Sequence, residues 1–193
     1  MSEQVVVPIG EYLGSLPFHE KGTNREPVFV DAQMIAGTLI RLSDEQADVM
    51  AFCRHLRLRT ELDEWLGNEQ IDSTVFDELV EAGLLRIGTD ESAMDWLQDC
   101  TIVPWGRSLG WDGALNLLSP SDEVYQVAPV YYWLWLYSRT GRSIAEVLEF
   151  LRMEAAVSNV SNASESDVSA ALMHMLAVDL GRLDLTASAA ETN

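Results

Sequence analysis

At 193 residues, with 48% hydrophobic and 22% charged side chains, the chain has apolar material for one large domain or two small ones, which excludes a wholly disordered polypeptide. Twelve Lys and Arg face 31 Asp and Glu, a formal net charge of −19. Such a field repels nucleic-acid phosphates and anionic lipid and favours solubility or basic partners. The charge is −9 over residues 1–88 and −10 over 89–193, so the acidity is no detachable tail.

In chain order, residues 1–10 carry neither a basic leader nor the long apolar stretch of an export signal, and Val5, Val6 and Val7 read as a strand. Residues 27–30 and 38–42 predict two short strands rich in β-branched and large apolar side chains. Ser43 and Gln46 form a capping box, and Val49, Phe52, Cys53 and Leu56 fall on one face of the helix behind it. Thr60 is placed to cap a second helix through Leu62, Trp65 and Leu66, stopped by Gly67. Asp72 or Ser73 opens a third with Phe76, Leu79 and Val80 on one face; Gly83 ends it and a strand follows over 84–87.

The same order recurs. Residues 116–118 and 124–127 predict strands, and a helix follows over 129–138, with Pro129 favoured in its first turn. Ser143 and Glu146 form a second capping box. A third helix carries Val168, Leu172, Met175 and Leu176, and a strand over 182–185 closes the unit after Gly181. The pattern aligns Arg59-Thr60 with Arg142-Ser143, and Gly83 with Gly181. It predicts an α+β, helix-rich fold of two tandem winged-helix-like units, 1–88 and 113–185, with a linker at 89–112 and a disordered tail at 186–193.

A winged helix reads DNA with basic residues on and around its third helix. Here residues 72–82 carry Asp72, Asp77, Glu78 and Glu81, residues 164–180 carry Glu165, Asp167 and Asp179, and neither stretch has a Lys or Arg. A nucleic-acid partner is therefore not expected. Nor is a membrane, because the most apolar run, 127–137, has eleven residues against the ~20 of a spanning helix.

The segments Val28-Phe-Val30, Ile40-Arg-Leu-Ser43, Phe52-Cys-Arg54, Arg59-Thr-Glu-Leu62 and Phe76-Asp-Glu-Leu-Val-Glu-Ala-Gly-Leu-Leu85 resemble the PqqD-like family. These are the leader-peptide recognition elements of ribosomal peptide natural-product biosynthesis. The second half is similar to a divergent copy through Val124-Tyr-Gln-Val127, Gly141-Arg-Ser-Ile-Ala-Glu146 and residues 167–185. The resemblance implies a non-catalytic peptide clamp, with a precursor peptide, its modifying enzyme, or both as partners. A leader peptide would add as a strand along residues 38–42 and pack against the third helix, which assigns peptide contacts to Leu39, Arg41, Phe76 and Val80. The two units, the long N-terminal segment and the acidity depart from the family pattern.

Enzyme chemistry finds little footing. Gly106-Arg-Ser-Leu-Gly110 matches a nucleophile-elbow pattern behind a strand candidate at 101–105, but Trp-Asp-Gly after it is a poor helix start and His174 is the sole downstream histidine. His19, His55 and His174 lack metal-site spacing and no phosphate-binding glycine motif occurs, so no metal or cofactor is expected. Two cysteines, Cys53 and Cys100, point to a reducing cytoplasm. Residues 131–137, Tyr-Tyr-Trp-Leu-Trp-Leu-Tyr, are apolar all round, so they are expected to be buried against the first unit or to offer Tyr131, Tyr132 and Trp135 to a partner. The leading expectation is an accessory peptide- or protein-binding subunit. The alternatives are an acidic tandem winged-helix scaffold of a larger complex and, less favoured, a transcription regulator.

Overall fold

The computed structural model describes residues 3–18, 28–157 and 164–186. Among them the chain forms an α+β fold of seven α-helices and eleven short strands in small antiparallel sheets. Three consecutive valines make β1 (Gln4–Pro8) an apolar strand, and it occupies the centre of a sheet rather than an edge. Next comes a three-stranded meander of β2 (Glu11–Phe18), β3 (Val28–Ile35) and β4 (Thr38–Arg41). The β3–β4 turn is Ala36-Gly37, with φ of 46° and 80°, the positive pair that suits the strand twist of a two-residue hairpin.

Ser43 and Gln46 cap α1 (Asp44–Phe52) reciprocally, as their spacing predicts. Then follow β5 (Arg57–Leu58), α2 (Arg59–Glu69), α3 (Ser73–Glu81) and β6 (Leu85–Thr89), and β5 and β6 pair with the two sides of β1. A 3-10 turn, Asp90–Ser92, and α4 (Ala93–Leu97) lead to β7 (Cys100–Pro104). A second meander follows, of β8 (Arg107–Trp111), β9 (Leu115–Leu118) and β10 (Val124–Val127). The chain ends its described course with α5 (Pro129–Ser138), α6 (Ile144–Val157), α7 (Glu165–Ala177) and β11 (Gly181–Leu185), which pairs with β7.

The two halves share bonds as well as element order. Leu84 N–H bonds Leu79 O and Ile9 N–H bonds Leu84 O; Leu180 N–H bonds Met175 O and Trp105 N–H bonds Leu180 O, all at 2.9–3.0 Å. Pro8-Ile-Gly-Glu-Tyr-Leu-Gly14 and Pro104-Trp-Gly-Arg-Ser-Leu-Gly110 occupy the same place in each half. A Cβ on Gly10 would stand 2.1 Å from Met34 O, and one on Gly106 2.0 Å from Leu118 O, so only glycine lets the chain pass there. Each motif ends in a bulge, at Tyr12/Gly14 and at Ser108/Gly110.

This register corrects the sequence alignment. Gly83, at φ 70°, corresponds to Asp179, at φ 55°, and not to Gly181. Bridges Val5↔Leu58 and Thr101↔Ser143 match Arg57-Leu58, rather than Arg59-Thr60, to Arg142-Ser143. Thr60 lies inside α2 with its hydroxyl on Glu3, while Leu58 is the N-cap. The helix passes Gly67 and ends at Gln70, whose left-handed conformation terminates it. Residues 100–111, expected in a linker, form β7 and β8 and pair with later strands. The tail beyond Thr186 lies outside the described residues.

One apolar core runs through both halves, from Val6 and Ile9 to Leu172 and Leu183. Ile9 bridges Leu183 in parallel, Gly10 N–H donates to Leu183 O at 2.8 Å, and Ala36 N–H donates to Asp184 Oδ1 at 2.8 Å. His55 Nδ1 lies 2.7 Å from Asp179 Oδ1, and Arg182 pairs with Glu11. The connector takes part too: α4 packs on α7, with Ala93 and Leu97 fully buried. No helix among the described residues is long and apolar enough to cross a membrane.

Candidate functional site: an open sheet edge

Antiparallel pairing turns alternate residues of a strand toward and away from the neighbour. Leu42 N–H donates to Asp31 O at 2.9 Å, which fixes the phase of the β3–β4 ladder. Thr38, Ile40 and Leu42 therefore turn their backbone groups to β3, and Leu39 and Arg41 turn theirs outward. In the order β2-β3-β4, β4 is the end strand, and among the described residues no strand pairs with its outer side. The valine strand β1, which could have covered that edge, lies between β5 and β6 instead. At the opposite end of the sheet, β2 carries a bulge and Pro17, both of which interrupt a regular ladder. Arg41 is exposed, with its guanidinium 4.8 Å from the centre of the Phe18 ring, and Leu39 is half-buried.

The other two residues assigned to peptide contact are placed differently. Phe76 is 2% exposed, in the core, and its ring lies under the Arg59 guanidinium of α2 at 4.0 Å. Val80 is half-buried against the same core. Helical spacing puts both on the face shared with Val75 and Leu79, which is needed for the core. Glu78 of α3 also reaches the start of α1, where it accepts from Gln46 Nε2 at 3.2 Å. Sequence reasoning missed this pair, although Gln46 was in view as half of a capping box.

The aromatic helix α5 packs within its own half, against α6, α7, β7 and β9. Tyr131 hydroxyl donates to Ala170 O at 3.1 Å, and Tyr132 hydroxyl lies 3.0 Å from Ser108 Oγ. Trp135 is 1% exposed and donates from Nε1 to Trp105 O at 2.8 Å. It is core, not an interface side chain. Three helices cover only one face of such a run, which is why the first half is expected on the other; β7 packs against α5, and Ser108 of β8 meets Tyr132. Trp133, 41% exposed and stacked on Tyr137, is the member of the run that faces outward most.

Gly106-Arg-Ser-Leu-Gly110 is the counterpart of the first half's bulge motif. After Gly110 the chain turns into β9, not into a helix, so the strand–turn–helix of an elbow is absent here. Burial pushes the thiols of Cys53 and Cys100 up to about 12, far from a reactive thiolate. Among the described residues no three His, Cys, Asp or Glu side chains converge as a metal ion would require. Comparison of the chain with family models, with curated proteins and with solved structures returned no match.

Proposed function

We propose that the chain is a non-catalytic polypeptide-binding protein that takes an extended segment of its partner as an added strand on β4. The observation that carries this reading is the outer edge of β4, unpaired among the described residues, with the backbones of Leu39 and Arg41 directed away from β3. An unbulged edge with an apolar and a cationic side chain offers main-chain hydrogen bonds and some side-chain selection together.

The two halves are read as tandem winged-helix-like units, a reading supported by the three helices and closing strand in each. The similarity to PqqD-like recognition elements supplies the partner class: a precursor peptide, the enzyme that modifies it, or both, with this chain as the accessory subunit. Charge supports a polypeptide over a nucleic acid. The third helices carry Asp77, Glu78 and Glu81 in α3 and Glu165 and Asp167 in α7, with no Lys or Arg to neutralise a phosphate.

A random ten-residue peptide library selected against the full chain tests the reading, followed by amide exchange on the chain with an enriched peptide bound. The Leu39 and Arg41 amides are expected to gain protection. Leu39→Pro or Arg41→Pro is expected to abolish binding with an unchanged circular dichroism spectrum, because each removes one outward-facing donor. A selection that enriches nothing, enriched peptides of which none protects these amides, or undiminished binding of a protecting peptide to both proline variants would each overturn it.

A further inference from the structure

We infer that the outer edge of β10 is a second strand-accepting site, and that its occupant is a basic extended segment. The inference rests on the reading of β4 for its binding mode and on different residues for its chemistry. Ser119 N–H donates to Glu123 O at 2.9 Å, which fixes the phase of the β9–β10 ladder. Glu123, Tyr125 and Val127 then face β9, and Val124 and Gln126 direct their backbone groups outward. In the order β10-β9-β8, β10 is an end strand, and among the described residues no strand pairs with its outer side. At the far end, β8 is interrupted by the bulge between Ser108 and Gly110.

Val124 occupies the position of Leu39. Each pairs with the residue, Leu118 or Met34, whose carbonyl crosses the close glycine of its half. Gln126 likewise occupies the position of Arg41. Val124 is 59% exposed, an apolar side chain left in solvent on a free edge.

The walls beside the two edges differ. In the second half the rings of Tyr125 and Tyr131 meet His174 edge-on, at 6.4 and 5.3 Å, so β10, α5 and α7 share an aromatic wall. The corresponding residues of the first half are Ile40, Gln46 and Glu78. Tyr125 hydroxyl donates to Glu123, a bond that raises the phenol above its ordinary value, and Asp179 adds to the effect. The only cation in β8, β9 and β10 is Arg107, on the strand farthest from the free edge, and neither α5 nor α7 carries Lys or Arg. Tyrosine faces beside carboxylates attract a Lys or Arg side chain through both the ring quadrupole and the charge. A second copy of this chain, at −19, is the wrong sign.

The test uses the full chain with the ten-residue peptide (Lys-Val)5 and its acidic counterpart (Glu-Val)5, followed by residue-resolved amide exchange. With (Lys-Val)5, the Val124 and Gln126 amides are expected to gain protection. Affinity should fall by about tenfold or more between about 0.05 and about 0.5 M salt, where screening shortens to a few ångströms. Gln126→Pro should abolish the protection at Val124, and Leu39→Pro should leave it intact. Protection of Leu39 and Arg41 without Val124 and Gln126 would overturn this inference while leaving the β4 reading standing. Equal protection by (Glu-Val)5 would overturn the basic occupant. Loss of Val124 protection in Leu39→Pro would refute a separate site. If Gln126→Pro fails to fold, protection in the unmodified chain decides.

Discussion

Ala36 is one of two residues, with Asp179, at which local strain and contact between the halves meet. It holds φ 46° in the turn that presents β4, and its N–H is fixed on the carboxylate of Asp184 in the second half. The left-handed region costs an L-residue about 1–2 kcal/mol, whereas glycine enters it freely but loses about 0.5–1 kcal/mol more chain entropy on folding. The first figure exceeds the second, so Ala36→Gly is expected to stabilise the chain by about 0.5–1 kcal/mol, seen as a higher urea midpoint at unchanged slope. A lower midpoint would mean that the methyl group's packing outweighs the strain. Asp179 shows how such positions escape a reading of the sequence. It is the left-handed residue after α7, where glycine is the usual occupant, and its carboxylate holds His55. The nearest glycine, Gly181, drew the alignment two residues too far.

Elements whose signals are local were legible. The capping boxes at Ser43/Gln46 and Ser143/Glu146, the Asp72 side chain accepting from Thr74 N–H, and the limits of α5 all stand where spacing put them. Partners distant in sequence were not legible. Residues 101–105 are a strand candidate by sequence and lie largely in β7, but the place of β7 and β8 in the fold rests on pairing with Leu185, Leu118 and other remote residues. For the candidate site, strand 38–42 was legible, but the bond between Glu78 of α3 and Gln46 of α1 was not. Phe76 and Val80 fit an apolar pocket by residue type while the core claims that face.

The second capping box offers a test at this scale. Ser143 Oγ accepts from Glu146 N–H at 3.2 Å, and the Glu146 carboxylate accepts from Ser143 N–H at 2.8 Å. Ser143→Ala is expected to cost about 0.5–2 kcal/mol in a denaturation midpoint. The bonds from Ser143 hold the Glu146 carboxyl below the usual glutamate range. Its contribution is therefore complete above the ordinary glutamate value and lost as pH falls through the lowered one. The Ser143→Ala deficit should narrow in acid; a deficit independent of pH would mean that the carboxylate takes no part in the cap.

At the scale of the whole molecule, the halves repeat each other yet are not independent, because the elements that join them are also parts of their cores. Ile9 belongs to the motif that opens the first half and bridges Leu183, in the last strand of the second. Leu97, in the connector, is buried where α4 meets α7. Removing the second half would bare part of both side chains, at up to about 1.5–3 kcal/mol each, against a typical domain stability of about 5–15 kcal/mol. Gly10 and Ala36 would lose the acceptors of their N–H groups as well, and with them the support of the turn that presents β4. The intact chain is therefore expected to unfold in a single transition by both circular dichroism and tryptophan fluorescence. A fragment of residues 1–99 should show a lower midpoint and bind a hydrophobic dye through the bared surface of α4. Two separated transitions in the intact chain, the earlier or later one reproduced by the isolated fragment at an unchanged midpoint, would show instead that each half folds on its own. In that case neither sheet edge would depend on the junction for its position.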